Sequence, residues 1–91
     1  MSQVHKDLGA LIREYRIKAK MTQLELSNKL GYDSPQFVSL FERGISKVPH
    51  NVIGELIIIL GIPQKKIVNS LVDVYRVTLV KEINLGKKDA S

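Results

Sequence analysis

The stretch Thr22–Gly44, TQLELSNKLGYDSPQFVSLFERG, decides the fold of this 91-residue chain. It begins with Thr22 and Glu25 at the T-x-x-E spacing of a capping box, in which each side chain accepts a hydrogen bond from a backbone N–H at the start of a helix. Gly31 is predicted to end that helix, because glycine adopts the left-handed backbone conformation at little cost. The pattern therefore predicts a short helix followed by a turn.

A second short helix is predicted after the turn. Ser34 is suited to the N-cap and Pro35 to the first helical position. Val38 and Phe41 lie at helical spacing and are expected to face inward, and Gly44 ends the helix. The outward face has no run of charge, and such a polar, uncharged face suits hydrogen bonding to base edges. That face consists of Gln36, Ser39 and Leu40.

The flanking sequence predicts three more helices, Lys6–Lys20, Pro49–Leu60 and Gln64 to about Asn84, each with apolar residues at helical spacing. Two segments also fit a strand. Ile57–Leu60 contains β-branched residues, which favour strands. Val77–Leu85 alternates between apolar and polar positions. Helix is the preferred interpretation of both, and residues 86–91 are expected to form a frayed polar tail.

The last two helices carry more apolar surface than a small core covers. Ile57–Leu60 sweeps roughly 300° around a helix, so Ile58 or Ile59 should be exposed in a monomer. The stripe predicted for the last helix is Val68, Leu71, Val72, Tyr75, Leu79 and Ile83, and it is widened by Val74, Val77 and Val80.

Composition excludes several classes of function. The chain has no Cys, and His5 and His50 are joined by no acidic cluster, so neither a metal site nor another cofactor is predicted. Its carboxylates and serines form no arrangement suited to acid–base or nucleophilic catalysis, so no enzyme is predicted. The start of the chain is polar, and the most apolar run has eleven residues, whereas a membrane span needs about 20. We therefore expect a cytoplasmic protein.

The net charge of +5 is unevenly distributed. Residues 1–20 have five Lys and Arg against two acidic residues, and residues 63–91 have six against three, whereas residues 21–62 have three against four. Two basic ends around a nearly neutral middle suit a polyanionic partner such as DNA.

The chain resembles the Cro/phage-repressor-like helix-turn-helix family, also called the XRE family, over residues 8–62. The resemblance rests on an ordered set of short motifs rather than on any one of them. These are Leu8-Gly9, Ile12-Arg13 and Arg16, then Met21-Thr22-Gln23, Leu26-Ser27 and Leu30-Gly31, then Val38-Ser39, Glu42-Arg43-Gly44 and Leu60-Gly61. It implies an all-α, five-helix lambda-repressor-like domain, with residues 6–62 as the DNA-binding core, 63–86 as a dimerisation helix and 87–91 as a tail.

The resemblance also implies roles for individual residues. Arg16 and Glu42 correspond to an ion pair that supports the fold, and Gln23 to a residue that holds a phosphate and steadies the start of the third helix. That helix would read bases in the major groove. The implied DNA-binding set is Arg13, Gln23, Ser34, Pro35, Gln36, Ser39, Leu40, Arg43 and Lys47. The predicted dimer interface is Ile58, Ile59, Leu71, Val72, Tyr75, Leu79 and Ile83.

The chain departs from the family pattern in places, and one departure, Leu40, together with the nearly neutral middle of the chain, leaves a second function open. The turn Gly31–Pro35 is one residue longer than usual, and Leu40 stands where a polar base-reading residue is common. The first hypothesis is a homodimeric transcriptional repressor that binds a near-palindromic DNA operator in the nucleoid. The alternative is an interaction module or antitoxin-like protein that binds a protein partner with little or no DNA binding.

Overall fold

The computed structural model describes residues 3–90, apart from the side chains of residues 3–5 and residue 74. His5 and Val74, which entered the sequence analysis, lie outside the described side chains. The described chain forms five helices and no strand: α1 Gln3–Lys18, α2 Gln23–Lys29, α3 Gln36–Glu42, α4 His50–Leu60 and α5 Gln64–Ala90. It is an all-helical helix-turn-helix domain in which α1 packs against both α3 and α5, and α2 packs against α3.

The predicted capping box and helix end of α2 are both confirmed. Thr22 Oγ1 accepts a hydrogen bond from the Glu25 N–H at 3.0 Å, and Glu25 Oε1 accepts one from the Thr22 N–H at 3.1 Å. Gly31 has a φ of +87°, and the N–H of Tyr32 donates to the Ser27 carbonyl at 2.9 Å. This bond closes a Schellman motif, which turns the chain away from α2.

The first helix ends earlier than predicted, at Lys18 instead of Lys20. Lys20 has a φ of +58°, and the N–H of Met21 donates to the Arg16 carbonyl at 3.2 Å. A Schellman motif therefore ends this helix without a glycine. A lysine in the left-handed region is uncommon, so the sequence carries no ordinary stop signal at this position.

The start of α3 also differs from the prediction. Pro35 is the N-cap instead of the first helical residue, and Ser34 lies one position before it. Ser34 Oγ accepts a hydrogen bond from the Gln36 N–H at 3.4 Å, which is long for such a bond. The proline ring fixes φ near the helical value, so Pro35 favours the start of α3 at the N-cap as it would at the first helical position.

The core lies between the first four helices and the start of α5. Its fully buried side chains include Leu8, Ile12, Leu26, Val38 and Leu56. Gly9 gives α1 its close approach to α3, because a Cβ atom there would lie 2.4 Å from the Phe41 carbonyl oxygen and 2.6 Å from that of Glu42. Non-bonded atoms in folded proteins do not come this close, so the crossing of α1 and α3 requires glycine at this position.

The strand alternatives were wrong, because Ile57–Leu60 and Val77–Leu85 are both helical. Ile58 is 83% exposed, as the sweep of apolar residues around α4 predicted. A strand would need a neighbouring strand to satisfy its backbone N–H and C=O groups, and the described chain offers none.

The fifth helix is longer and differently oriented than predicted. It continues through residues 86–90, where a frayed tail was expected. Ile67, which lies outside the predicted stripe, is buried in the core, whereas Val68 of the predicted stripe is exposed. The described residues from 72 to 90 are all exposed. We call this segment the α5 arm, and it makes the molecule elongated, with extents of 53 × 25 × 19 Å.

Candidate nucleic-acid interface

The third helix packs one face against the core and exposes the other to solvent. Val38 and Phe41 are buried, which confirms the predicted inward stripe. Gln36 and Arg43 are exposed, and Ser39 and Leu40 are half-buried. The Arg43 Nε–H donates to the Ser39 carbonyl at 3.4 Å, so the guanidinium lies back along its own helix. A helix of seven residues thus offers a short, mostly uncharged face.

Aromatic side chains connect the long turn to the start of α3. The rings of Tyr32 and Phe37 are stacked, with centroids 4.6 Å apart and planes at 22°. Both rings also approach Phe41, with centroid distances of 6.4 and 6.5 Å. This cluster packs Tyr32 of the turn against Phe41 of the core. Tyr32 was predicted only as part of the turn Gly31–Pro35, although an apolar side chain directly after a C-terminal glycine commonly packs back on its helix.

A charged network anchors the end of α3 to α1 and α2. The Arg16 Nε–H donates to Glu42 Oε2 at 2.5 Å, and Arg16 Nη2 donates to Glu42 Oε1 at 3.1 Å. Arg16 Nη1 also donates to the Met21 carbonyl at 2.8 Å, at the turn between α1 and α2. The Glu42 side chain is 4% exposed. This two-point pairing therefore fixes the orientation of α3 from behind its outward face.

Gln23 belongs to the same network. Its Nε2 donates to Glu42 Oε1 at 3.1 Å. The side chain therefore reaches the last residue of α3, whereas the resemblance implied contact with the start of that helix. The hydrogen bond to Glu42 orients the side-chain amide on the first turn of α2. It uses one N–H of the amide and leaves the oxygen and the second N–H for other partners.

The remaining basic residues of the predicted set are exposed but lie on other elements. Arg13 is on α1, and Lys47 is in the loop before α4. Within the described chain, neither side chain forms an ion pair. Lys47 borders an open concavity of about 340 Å³ with Pro49, His50 and Asn51 at the start of α4. His50 is thus placed at the N-terminus of α4, as expected.

A second group of cations surrounds Tyr15 on the α1 and α5 side of the molecule. Lys66 Nζ donates to the Tyr15 hydroxyl oxygen at 3.2 Å, and this hydrogen bond raises the pKa of Lys66 above its ordinary value. Lys18 Nζ lies 4.9 Å from the centre of the same ring and 3.6 Å from Glu14 Oε2. These cations already have partners within the chain, and they lie outside the DNA-binding set that the resemblance implied.

The described residues offer no metal site, since no three of their His, Asp or Glu side chains group closely enough to hold an ion. None of the described helices has the length and apolarity needed to cross a membrane.

The fold is similar to two crystal structures of the clp gene regulator ClgR from Corynebacterium glutamicum. One has a TM-score of 0.65 and 24% sequence identity, and covers 78% of this chain and 90% of that chain. The other has a TM-score of 0.66 and 23% identity, and covers 92% and 87%. No protein-family model and no curated protein sequence matches the chain. At this level of identity, the similarity establishes the all-helical fold.

Proposed function

We propose that this chain is a sequence-specific DNA-binding transcriptional regulator of the XRE type, acting as a homodimeric repressor in the cytoplasm at the nucleoid. The observation that carries the proposal is the way α3 is held. Its inner face and its last residue, Glu42, are fixed by the core and by Arg16, while Gln36 is left exposed. A rigid helix with a free polar face is what base reading in the major groove requires.

The surrounding residues support contacts with the DNA backbone. Arg13, Arg43 and Lys47 are exposed cations, and such residues position a protein on phosphates without reading sequence. Gln23, Ser34 and Pro35 lie at the starts of α2 and α3, where backbone and amide groups suit phosphate oxygens. The similarity to ClgR, a clp gene regulator, agrees with a role in gene regulation.

The proposed dimer would place two copies of α3 about 34 Å apart, one turn of DNA, on a near-palindromic site. Its interface includes the exposed Val72, Tyr75, Leu79 and Ile83 of the arm, together with Ile58. Ile59 and Leu71 of the predicted interface are partly buried against this chain's own core, so they would contribute less of their surface.

Selection of bound sequences from a random double-stranded DNA pool tests this proposal. We expect one enriched, two-fold symmetric motif and an affinity that falls steeply as salt rises. Gln36→Ala should relax the preference at one position of each half-site, at a cost of about 1–3 kcal/mol. Arg43→Ala should instead weaken binding to all sequences and reduce the salt dependence. Lys65→Ala, which removes the same charge from the start of α5, serves as the control.

A protein-interaction module is the second candidate, favoured by the half-buried Leu40 on the face that should read bases. In this case the selection would return no motif. Gln36→Ala and Arg43→Ala would also leave retention on DNA at moderate salt unchanged, because neither side chain would touch DNA.

A further inference from the structure

The α5 arm has two apolar faces. Val68, Val72, Tyr75, Leu79 and Ile83 follow one another at spacings of four, three, four and four residues, which places them on one stripe. We call this stripe the first face. Val77 and Val80 lie roughly 130° around the helix from it, at 100° per residue. They are 66% and 50% exposed. With Asn84 and Leu85, they form a second exposed and largely apolar surface on the same helix, which we call the second face.

The charges beside the two faces differ. At 100° per residue, the first face has Glu82 along one edge and Arg76 and Lys87 along the other. Such opposite edges suit a second copy of the same helix, because each edge meets its complement in a parallel pair. The second face instead has a cation on each side of its two valines, Arg76 on one side and Lys81 on the other.

A second copy of the chain is therefore a poor occupant of the second face. Two such faces packed against each other would bring cations together over an apolar floor, and like charges across an interface are unfavourable. DNA is a poor occupant as well, since the floor is apolar and phosphates would gain nothing from it. Asp73 lies one helical turn before the second face, so the cations of this side of the arm lie towards its C-terminal end.

We propose that the second face binds an acidic amphipathic helix of another protein. The valines would receive its apolar stripe, and Arg76 and Lys81 would pair with carboxylates on its two edges. The residues that border the second face extend from Arg76 to Lys88, which is about 18 Å along a helix and matches a partner segment of about 12 residues. This inference rests on the proposed dimer, in which the second copy covers the first face. It does not depend on DNA binding.

The test uses the full chain and a fluorescently labelled 14-residue helical peptide with a leucine stripe flanked by glutamates. A second peptide carries lysine in place of each glutamate. Fluorescence anisotropy should show saturable binding of the acidic peptide and none of the basic one. The R76E/K81E variant should bind the acidic peptide about tenfold more weakly, since two exposed ion pairs are lost. The K29E/K65E variant, with the same change in net charge, should bind it as the unchanged protein does.

Val77→Ser/Val80→Ser provides a second variant that leaves every charge in place, and it should also weaken binding. Arg76 also borders the first face, so K81E alone, which leaves that edge unchanged, should weaken binding of the acidic peptide about threefold. Light scattering checks that each variant keeps the mass of the unchanged protein. Equal binding of the acidic peptide to R76E/K81E, or no binding at all, would overturn the proposal. So would binding to phosphatidylglycerol vesicles without binding to the peptide, which would indicate a membrane surface. Each of these results is independent of the outcome of the DNA selection.

Discussion

The α1–α4 core and the α5 arm are both helical, but different interactions keep them so. In the core, short helices such as α2 and α3 end in defined turns and bury apolar residues against one another. In the arm, the described residues 72–90 are exposed although many are apolar. Most helical stability in proteins comes from packing, and the exposed side chains of this segment bury little against the rest of the described chain. The α1–α4 core thus buries its apolar residues within one chain, whereas the α5 arm leaves its apolar residues exposed.

The largest effect is expected from Leu79→Asp, which tests the arm. In the proposed two-fold dimer both copies would lose an apolar contact, and each carboxylate would lose water, so dimerisation should weaken by about 4 kcal/mol. Light scattering over a range of protein concentrations should show the monomer mass. Val77→Asp introduces the same charge on the second face and should keep the dimer. If the mass of Leu79→Asp matches that of the unchanged protein, the first face is not the interface.

Gly9→Ala tests the core and should lower the free energy of unfolding by about 3 kcal/mol. The added Cβ would meet two backbone carbonyls of α3, and backbone cannot give way as a flexible side chain can. Urea denaturation measures the loss. Gly54→Ala is the matched control, because a Cβ there meets nothing within 4 Å, and it should raise stability by up to about 1 kcal/mol. Equal stabilities of the two variants would mean that α1 and α3 do not cross as described.

The features that the sequence predicted well are local ones. The capping box of Thr22 and Glu25 and the left-handed Gly31 depend on residues a few positions apart, and so does the exposure of Ile58. The end of α1 was missed because Lys20 takes a conformation that the pattern assigns to glycine. The position of Pro35 was wrong by one residue, since a proline suits both the N-cap and the first turn.

The orientation of α5 could not be predicted for a different reason. The helix is apolar on several sides, so its pattern does not reveal which side meets α1, and Ile67 was overlooked in favour of Val68. Packing across distant parts of the chain makes that choice. The same holds in the candidate site, where Gln23 contacts Glu42, nineteen positions away. The sequence indicated the residue types of the site, while the folded chain decided which of them meet.

The network of Arg16 and Glu42 allows a sharper test of the core. Arg16→Leu should lower the free energy of unfolding by about 2 kcal/mol, because the buried Glu42 carboxylate keeps Gln23 as a donor but loses its counter-charge. The double variant Arg16→Leu/Glu42→Leu should recover much of that loss, since no unpaired charge remains. Denaturant titration of the two single variants and the double variant gives the coupling. Additive losses would show that the two side chains act independently.

The smallest expected effect comes from Gly86→Ala, and it compares the arm with the core directly. As at Gly54, a Cβ at Gly86 meets nothing within 4 Å, so both substitutions should favour their helices by about 0.5–1 kcal/mol. In Gly54→Ala the gain should appear in global unfolding, because α4 unfolds together with the core. In Gly86→Ala it should appear as higher helical content by circular dichroism at low protein concentration, where the proposed dimer would be dissociated, and it should fade as that dimer forms. If the two variants instead show the same gain in global unfolding at every concentration, the arm folds as part of the core and the distinction between the two regions fails.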